Sequence, residues 1–374
     1  MRVLHINNEK TWRGGERQTL LTAQEQRRQG LDSRIACRRG APLEEIARSN
    51  GIPVISLSSV VPAALLALRR SAAECELLHC HTGRGHSLTS LAVLGQRKPM
   101  VISRRVDFAP RNSAFNRWKY GRADRVVCVS KCIAAIMRNW GLPAAKLPVI
   151  YEAVPGDAYL PREDCLKELR ERTGLQSGQR IVGNVAALVG HKDHATLLRA
   201  AKVVAARCPD VAFVVVGEGE RRERLLSLRK ELGLEATVHF TGFIPQAHRL
   251  LPGFDVFAMS SCMEGAGTIV LDANMAGVPV AATAAGGLPE LVLDQQTGLL
   301  APVGDAPALA EALLRLLGEP ALAQRLARAA RQRAEQDFSV ATMARRYVEL
   351  YRELLSGGQN ARSAGGKRVM IPDA

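Results

Sequence analysis

The stretch from Asp255 to Thr283 constrains this chain most. It opens with an apolar run, Asp255-Val-Phe-Ala-Met-Ser260, that reads as a buried strand. A loop with Gly265 and Gly267 follows, then a helical segment from about Thr268 to Ala276 that Gly277 stops, then a second strand, Val278-Pro-Val-Ala-Ala-Thr283. Strand, glycine loop, helix, strand is a βαβ unit. The glycines let a bulky ligand approach the backbone. The unpaired N–H groups of the helix's first turn favour phosphate there. Glu264 in the loop and Asp272 on the helix frame the site. One reading puts one acid beside a sugar and the other beside a ribose; the other reading makes Glu264 a helix cap and Asp272 a solvated helix residue.

The same alternation runs through the chain. Strands are expected at 2–6, 34–37, 53–57, 76–81, 100–103 and 125–130, then at 180–186, 211–216 and 237–240. Helices are expected at 16–29, 43–50, 63–73, 193–206, 221–232, 305–317, 319–335 and 339–355, with another from Ser130 to Asn139. Alternating β and α elements predict an α/β protein with parallel sheets covered on both faces. Ligands of such sheets sit at the carboxyl ends of strands. His81 and the pair Arg104-Arg105 fall there. On its own, His81 reads as a partly buried loop histidine, and the arginines either bind an anionic acceptor or are simply exposed. Gly14-Gly15 before the first helix is a phosphate-compatible turn but not a G-x-G-x-x-G fingerprint. Lys192 ends the loop after the strand at 180–186, and Gly217 follows the strand at 211–216.

A length of 374 residues allows two domains with their own cores. Met1-Arg-Val-Leu-His-Ile-Asn reads as a first strand rather than a secretory signal, and Val60 to Leu68 is far short of the ~20 apolar residues a bilayer span needs. Eight scattered cysteines fit a reducing cytosol, and no spacing suggests a zinc site. The charge is uneven. The chain carries 51 basic and 36 acidic residues, and residues 1–155 hold 25 and 11 of them, a net +14. Twelve basic residues lie between Arg97 and Lys146, interleaved with Phe108, Phe115, Trp118, Tyr120 and Trp140. That face suits an anionic membrane or nucleic acid, or is a merely soluble basic surface.

Glu264-Gly-Ala-Gly followed by Asp272-Ala-Asn-Met-Ala-Gly-Val-Pro-Val280 resembles the E-x7-E signature of retaining glycosyltransferases of family 4, with Asp as the second acid. Ala123-Asp-Arg-Val-Val-Cys-Val-Ser130, Val149-Ile-Tyr-Glu-Ala-Val-Pro155 and Ala285-Gly-Gly-Leu-Pro-Glu290 resemble further family segments. The resemblance covers about residues 2 to 355. It implies the GT-B fold: two Rossmann-like domains facing across a cleft, an acceptor domain at 1–155 and a nucleotide-sugar domain at 156–338, with a helix at 339–355 crossing back to the first. Residues 356–374 are expected to be a disordered tail.

The resemblance also assigns roles. Glu264 orients the sugar hydroxyls and Asp272 holds the ribose. Gly14, Gly15, Gly217, Gly265, Ala266, Gly267, Thr268 and Ile269 line the donor. Lys192 neutralises the diphosphate, and Ala187 stands where relatives carry its partner arginine. His81 contacts the sugar or the acceptor, and Arg104 and Arg105 hold the acceptor. The donor is a nucleotide-sugar, a UDP-sugar by preference, and the acceptor a lipid-linked or lipopolysaccharide-type glycan. No cofactor or metal is expected, in keeping with the lack of a D-x-D. The protein is expected at the cytoplasmic face of the inner membrane, docked through its basic half. The rivals are a nucleotide-sugar epimerase of the same fold and a non-catalytic glycan-binding homologue. A nucleic-acid module lacks its motifs.

Overall fold

The computed structural model describes residues 1–364, with side chains to Ser356. The expected tail differs over its first residues. The last helix continues to Ala364, past the expected end at 355, and residues 365–374 lie outside the described residues. The chain forms two compact units. One holds residues 1–129 and 134–150 with the last helix, and the other holds 130–133 and 151–339.

In the first unit, β1 (Arg2–Asn7), β2 (Asp32–Arg38), β3 (Val54–Leu57), β4 (Leu77–Cys80), β5 (Met100–Arg104) and β6 (Arg125–Cys128) form one sheet in the order β3-β2-β1-β4-β5-β6. Every pairing is parallel. The crossovers are α1 (Gly14–Arg28), α2 (Pro42–Ser49), α3 (Val61–Glu74), α4 (Gly83–Ala92) and α5 (Ala114–Arg122), with α6 (Lys131–Asn139) after the last strand. The strand order reverses between β1 and β4, so the carboxyl ends of these two strands open the crevice where such sheets bind ligands.

The second unit starts with α7 (Arg162–Thr173) and repeats the plan. Its strands are β7 (Arg180–Val185), β8 (Val211–Val216), β9 (Val238–Gly242), β10 (Val256–Met259), β11 (Val280–Thr283) and β12 (Leu299–Ala301), in the order β12-β11-β10-β7-β8-β9. Its helices are α8 (His194–Arg207), α9 (Arg222–Glu231), α10 (Thr268–Met275), α11 (Leu288–Leu291), α12 (Ala306–Gly318) and α13 (Pro320–Asp337). The final helix, α14 (Val340–Ala364), returns to the first unit.

Strand β8 shows why helices cover both faces. It is apolar at all six positions. Ala212, Val214 and Val216 join one core cluster, and Val211, Phe213 and Val215 join another. The two-residue period of a strand sends alternate side chains to opposite faces, and a run apolar on both must be covered on both. Removing each of the valines and Phe213 from water stabilises the sheet by about 1.5–3 kcal/mol. No helix among the described residues is long and apolar enough to cross a membrane.

Candidate functional site

Each unit gathers candidate residues at its own switch point. In the second unit this lies between β7 and β10. The loop after β10 carries Ser261 to Gly267, and the loop after β7 carries Ala187 to Lys192. The two are tied through backbone: Cys262 N–H donates to His191 O at 2.9 Å, and the Ser260 hydroxyl donates to Lys192 O at 3.0 Å. Lys192 and Glu264 therefore meet, and their side chains form an ion pair that is mostly buried. The Ser261 hydroxyl adds a bond to the same Glu264 carboxylate at 3.3 Å. Glu264 is thus not a helix cap. The cap position of α10 is Gly267, at φ +64°, in the left-handed region that favours glycine. Thr268 and Ile269 form the first turn and are half-buried, as is Ala266, while Gly265 is buried.

A second glycine pair shapes this loop. A Cβ on Gly286 would stand 2.1 Å from Glu264 O, and one on Gly287 would stand 2.5 Å from Gly265 O. Gly287 N–H donates to Glu264 O at 2.9 Å. The resemblance marks Gly286-Gly287 only as a turn; its work is to let two backbones touch. Gly217 has a similar reason. Its φ is +151° and its Cβ would lie 1.9 Å from Ala186 O, so close backbone approach dictates the glycine there.

Asp272 departs from one of the two sequence readings. It is 1% exposed, so it is not a solvated helix residue, and the Tyr159 hydroxyl donates to it at 3.4 Å. Arg221 is a cation the sequence reading passed over. Its backbone N–H donates to Leu188 O at 2.9 Å, and its guanidinium lies 3.5 Å from where a Gly190 Cβ would be. It thus stands against the loop in which Ala187 replaces the family's arginine. An open groove lined by Gly190, Asp193, His194, Arg221 and Arg224 flanks that loop.

In the first unit, Gly14 and Gly15 form the first turn of α1, two residues earlier than expected. Glu16 closes a capping box by accepting from Arg13 N–H at 3.0 Å, and Asn7 Nδ2 donates to it at 3.1 Å. Burial raises its pKa despite these bonds. His81 lies just past β4, 4% exposed, and belongs to a trio the sequence reading missed. His5 Nδ1 and His81 Nε2 are 2.9 Å apart, and the His79 and His81 rings are centred 4.0 Å apart. Strand pairing explains the trio, because His5 faces His79 in the β1–β4 register and His81 follows two residues later on the same side. The ligating nitrogens of His5, His79 and His81 lie within 4.8 Å of one another. All six ring nitrogens, however, already have protein partners. Those of His5 face His81 and Gln26, those of His79 face Ser103 and Tyr351, and those of His81 face His5 and Arg105. Hydrogen bonding alone accounts for the cluster. Burial holds His5 down to about 4, and burial together with neighbouring charge holds His79 and His81 well below the usual histidine range.

The arginine pair splits. Arg104 is 9% exposed, donates to the Tyr120 hydroxyl at 3.3 Å and to Phe108 O, and packs over the Phe108 ring. It is not the exposed residue of the second reading: adjacent strand residues point to opposite faces, and Arg104 is buried. Arg105 turns the other way and donates from Nη1 to His81 Nδ1 at 3.2 Å. The interleaved aromatics split as well. Tyr120 and Trp140 are core, whereas Phe108 and Phe115 are 59% and 43% exposed.

Comparison with known proteins accords with this geometry. The family described as "Glycosyltransferase Family 4" matches residues 12–157, and "Glycosyl transferases group 1" matches residues 167–333. A GDP-mannose-dependent alpha-(1-6)-phosphatidylinositol monomannoside mannosyltransferase of Mycolicibacterium smegmatis is 35% identical over 65% of this chain and 64% of its own length. The lipopolysaccharide core biosynthesis glycosyltransferase LpsE of Rhizobium meliloti is 31% identical over 46% of this chain and 49% of its own. The chain thus spans 64% and 49% of these curated relatives. The crystal structure of Anabaena HepE in complex with UDP superposes with a TM-score of 0.83 at 22% identity, covering 94% of this chain and 100% of that one, a likeness of fold. The two parallel-sheet units have the GT-B architecture, and with a family match on each half the chain belongs to glycosyltransferase family 4.

Proposed function

We propose that this protein is a retaining glycosyltransferase that moves a sugar from a nucleotide-sugar to a hydroxyl of a membrane-associated glycan or glycolipid. The observation that carries the reading is the meeting of Lys192 and Glu264 beside the first turn of α10. As the glycosidic bond breaks, charge builds on the departing diphosphate. Lys192 and the α10 N–H groups stabilise it, and Arg221 serves as the second cation that Ala187 does not supply. Once Lys192 turns to the diphosphate, Glu264 is released to hold sugar hydroxyls. Asp272 holds the ribose in this reading, with the Tyr159 hydroxyl donating to its carboxylate. In this reading protein cations carry the phosphate charge and no metal takes part. The donor is a UDP-sugar in our reading; the mycobacterial relative's name gives GDP-mannose, and thermal shifts with UDP, GDP and their sugar conjugates decide between them. The acceptor reading, a lipopolysaccharide-type glycan met at the cytoplasmic face of the inner membrane, draws support from the basic first half and from the LpsE likeness.

The decisive test is Glu264→Ala in a transfer or donor-hydrolysis assay. Turnover should fall by about 10²-fold or more, the scale of losing one preorganised polar group in an active site, with the melting temperature kept. Near-normal turnover would sink the assignment. Loss of nucleotide binding in the unaltered protein would favour a non-catalytic homologue instead.

A further inference from the structure

Helix α8 follows the loop that carries Lys192, and its first turn lines a groove of about 230 Å³ beside α9. That is below the ~300 Å³ at which pockets for drug-sized ligands begin, so the groove suits a small ion or a short ester. Asp193 caps the helix. Its carboxylate accepts from Thr196 N–H at 3.3 Å and from the Thr196 hydroxyl at 2.6 Å. The N–H groups of His194 and Ala195, the first two positions of the helix, have no partner among the described residues. Two cations line the same groove. Arg221 meets one acid, the exposed Glu220, at a loose 3.8 Å, and Arg224 has no ion-pair or hydrogen-bond partner among the described residues.

His194 also lines the groove, is 2% exposed, and has no hydrogen-bond partner for its Nδ1 among the described residues. Its other nitrogen fixes the proton. Asn184 Nδ2 donates to Ala258 O at 2.8 Å, so Asn184 Oδ1 faces His194 Nε2, 3.1 Å away, and accepts from it. Burial and the Lys192 charge hold the ring at about 4, so it is neutral near pH 7. Nδ1 is therefore a lone pair without a donor, which is costly to bury. The helix N–H groups and the two arginines favour negative charge. Nδ1 and the Asp193 carboxylate favour a ligand that brings a proton. A hydrogen phosphate offers both in one group, whereas sulfate has the oxygens and no proton.

We propose that this groove binds a hydrogen phosphate group, free or as a monoprotonated ester, with Arg221, Arg224 and the first N–H groups of α8 on its oxygens and His194 Nδ1 accepting its P–O–H. The site is separate from the diphosphate contact of the transfer reading, because its walls are formed without Lys192 and Glu264; only Arg221 belongs to both.

The test is calorimetric titration of the full chain with inorganic phosphate, glycerol 3-phosphate and sulfate, without nucleotide and in protein saturated with UDP or GDP. Inorganic phosphate should bind about tenfold or more tightly than sulfate, since a site built to accept a hydroxyl proton rejects the analogue without one. Arg224→Ala should weaken phosphate binding by about tenfold, the scale of a charge-assisted hydrogen bond. His194→Gln keeps an N–H for Asn184 Oδ1 but places no atom at the Nδ1 position, so the preference for phosphate over sulfate should shrink to within about threefold. Melting temperatures identify any variant that has merely unfolded, and the exposed Arg224 serves if His194→Gln does so. Tighter binding of inorganic phosphate makes the free ion the ligand, and tighter binding of glycerol 3-phosphate makes it an ester. Phosphate binding should persist in the nucleotide-saturated protein. Complete displacement by UDP or GDP would put the phosphate at the donor loop and overturn the groove, as would an unaltered protein that binds no phosphate, or unchanged affinity in Arg224→Ala. Sulfate bound as tightly as phosphate, or a preference unchanged in a folded His194→Gln, overturns the role of Nδ1. An unaltered protein that binds neither nucleotide would count against the transfer reading and leave the nucleotide-free titrations readable.

Discussion

At the scale of single residues, the glycines divide into those that a side chain would strain and those that it would crowd as well. Gly40 has φ +72° and nothing within 4 Å of where a Cβ would stand, so Gly40→Ala meets only backbone strain. Gly286 has φ +53° and the Glu264 carbonyl in the way. Gly286→Ala should cost about 3 kcal/mol in urea unfolding and Gly40→Ala about 1 kcal/mol. Equal costs would refute the clamp on the Glu264 loop. Much of this was legible in the sequence: Glu264, Lys192 and the glycines stood out by spacing and resemblance. The direction of side chains was not. Arg104 and Arg105 read as a pair, yet the alternation of a strand makes neighbours opposites, and only the edge of the sheet decides which one turns to the open end. The burial of Asp272 against Tyr159 depends on a partner 113 residues away, which helix spacing could not show.

At the scale of elements, the strands and long amphipathic helices appeared near their expected places, because continuous apolar runs and a 3.6-residue stripe are local signals. Helices α4, α5 and α7 went unread. Helix α4 begins Gly-Arg-Gly, poor helix formers that are tolerated because the Thr82 hydroxyl caps the turn by accepting from Gly85 N–H at 3.1 Å. Helix α7 buries only Cys165 and Leu169, too few to make a stripe. Helix α5 buries Lys119 and Tyr120 and leaves Phe115 outside. That exposed phenyl, with Phe108 and the exposed Arg111, gives the membrane reading a specific element. Sedimentation with anionic vesicles should weaken as salt rises. The double substitution Phe108→Ser and Phe115→Ser should lower binding by about tenfold or more, since burying one phenyl contributes about 1.5–3 kcal/mol. No binding at low salt would end the membrane reading.

At the scale of the whole molecule, buried neutral histidines couple stability to acid. Burial lowers His5 to about 4, His86 to about 3 and His194 to about 4. A histidine whose folded pKa is depressed costs nothing above its unfolded value near 6.5. As pH falls below that value the unfolded chain takes up protons the folded one refuses, and the loss grows until the folded pKa is reached. Each such group removes about 1.4 kcal/mol per pH unit across that window. His5, His79, His81 and His86 all lie in the first unit, against His194 and the half-buried His239 in the second. The first unit should therefore loosen first between about pH 6.5 and pH 4. The three tryptophans, Trp12, Trp118 and Trp140, all lie there, so their fluorescence follows it alone while circular dichroism follows both units. Coincident transitions at about pH 5, or a midpoint that does not move with pH, would contradict this.

The Gly286–Gly287 contact with the Glu264 loop has one more consequence. A loop already pinned backbone to backbone has little disorder left to surrender when a ligand arrives, so the ordering cost falls on folding instead of on recognition. Small fragments should then bind well for their size. Bare pyrophosphate should retain much of the affinity per atom of a complete nucleotide-sugar, and its binding should be accompanied by little change in hydrogen exchange across residues 261–267.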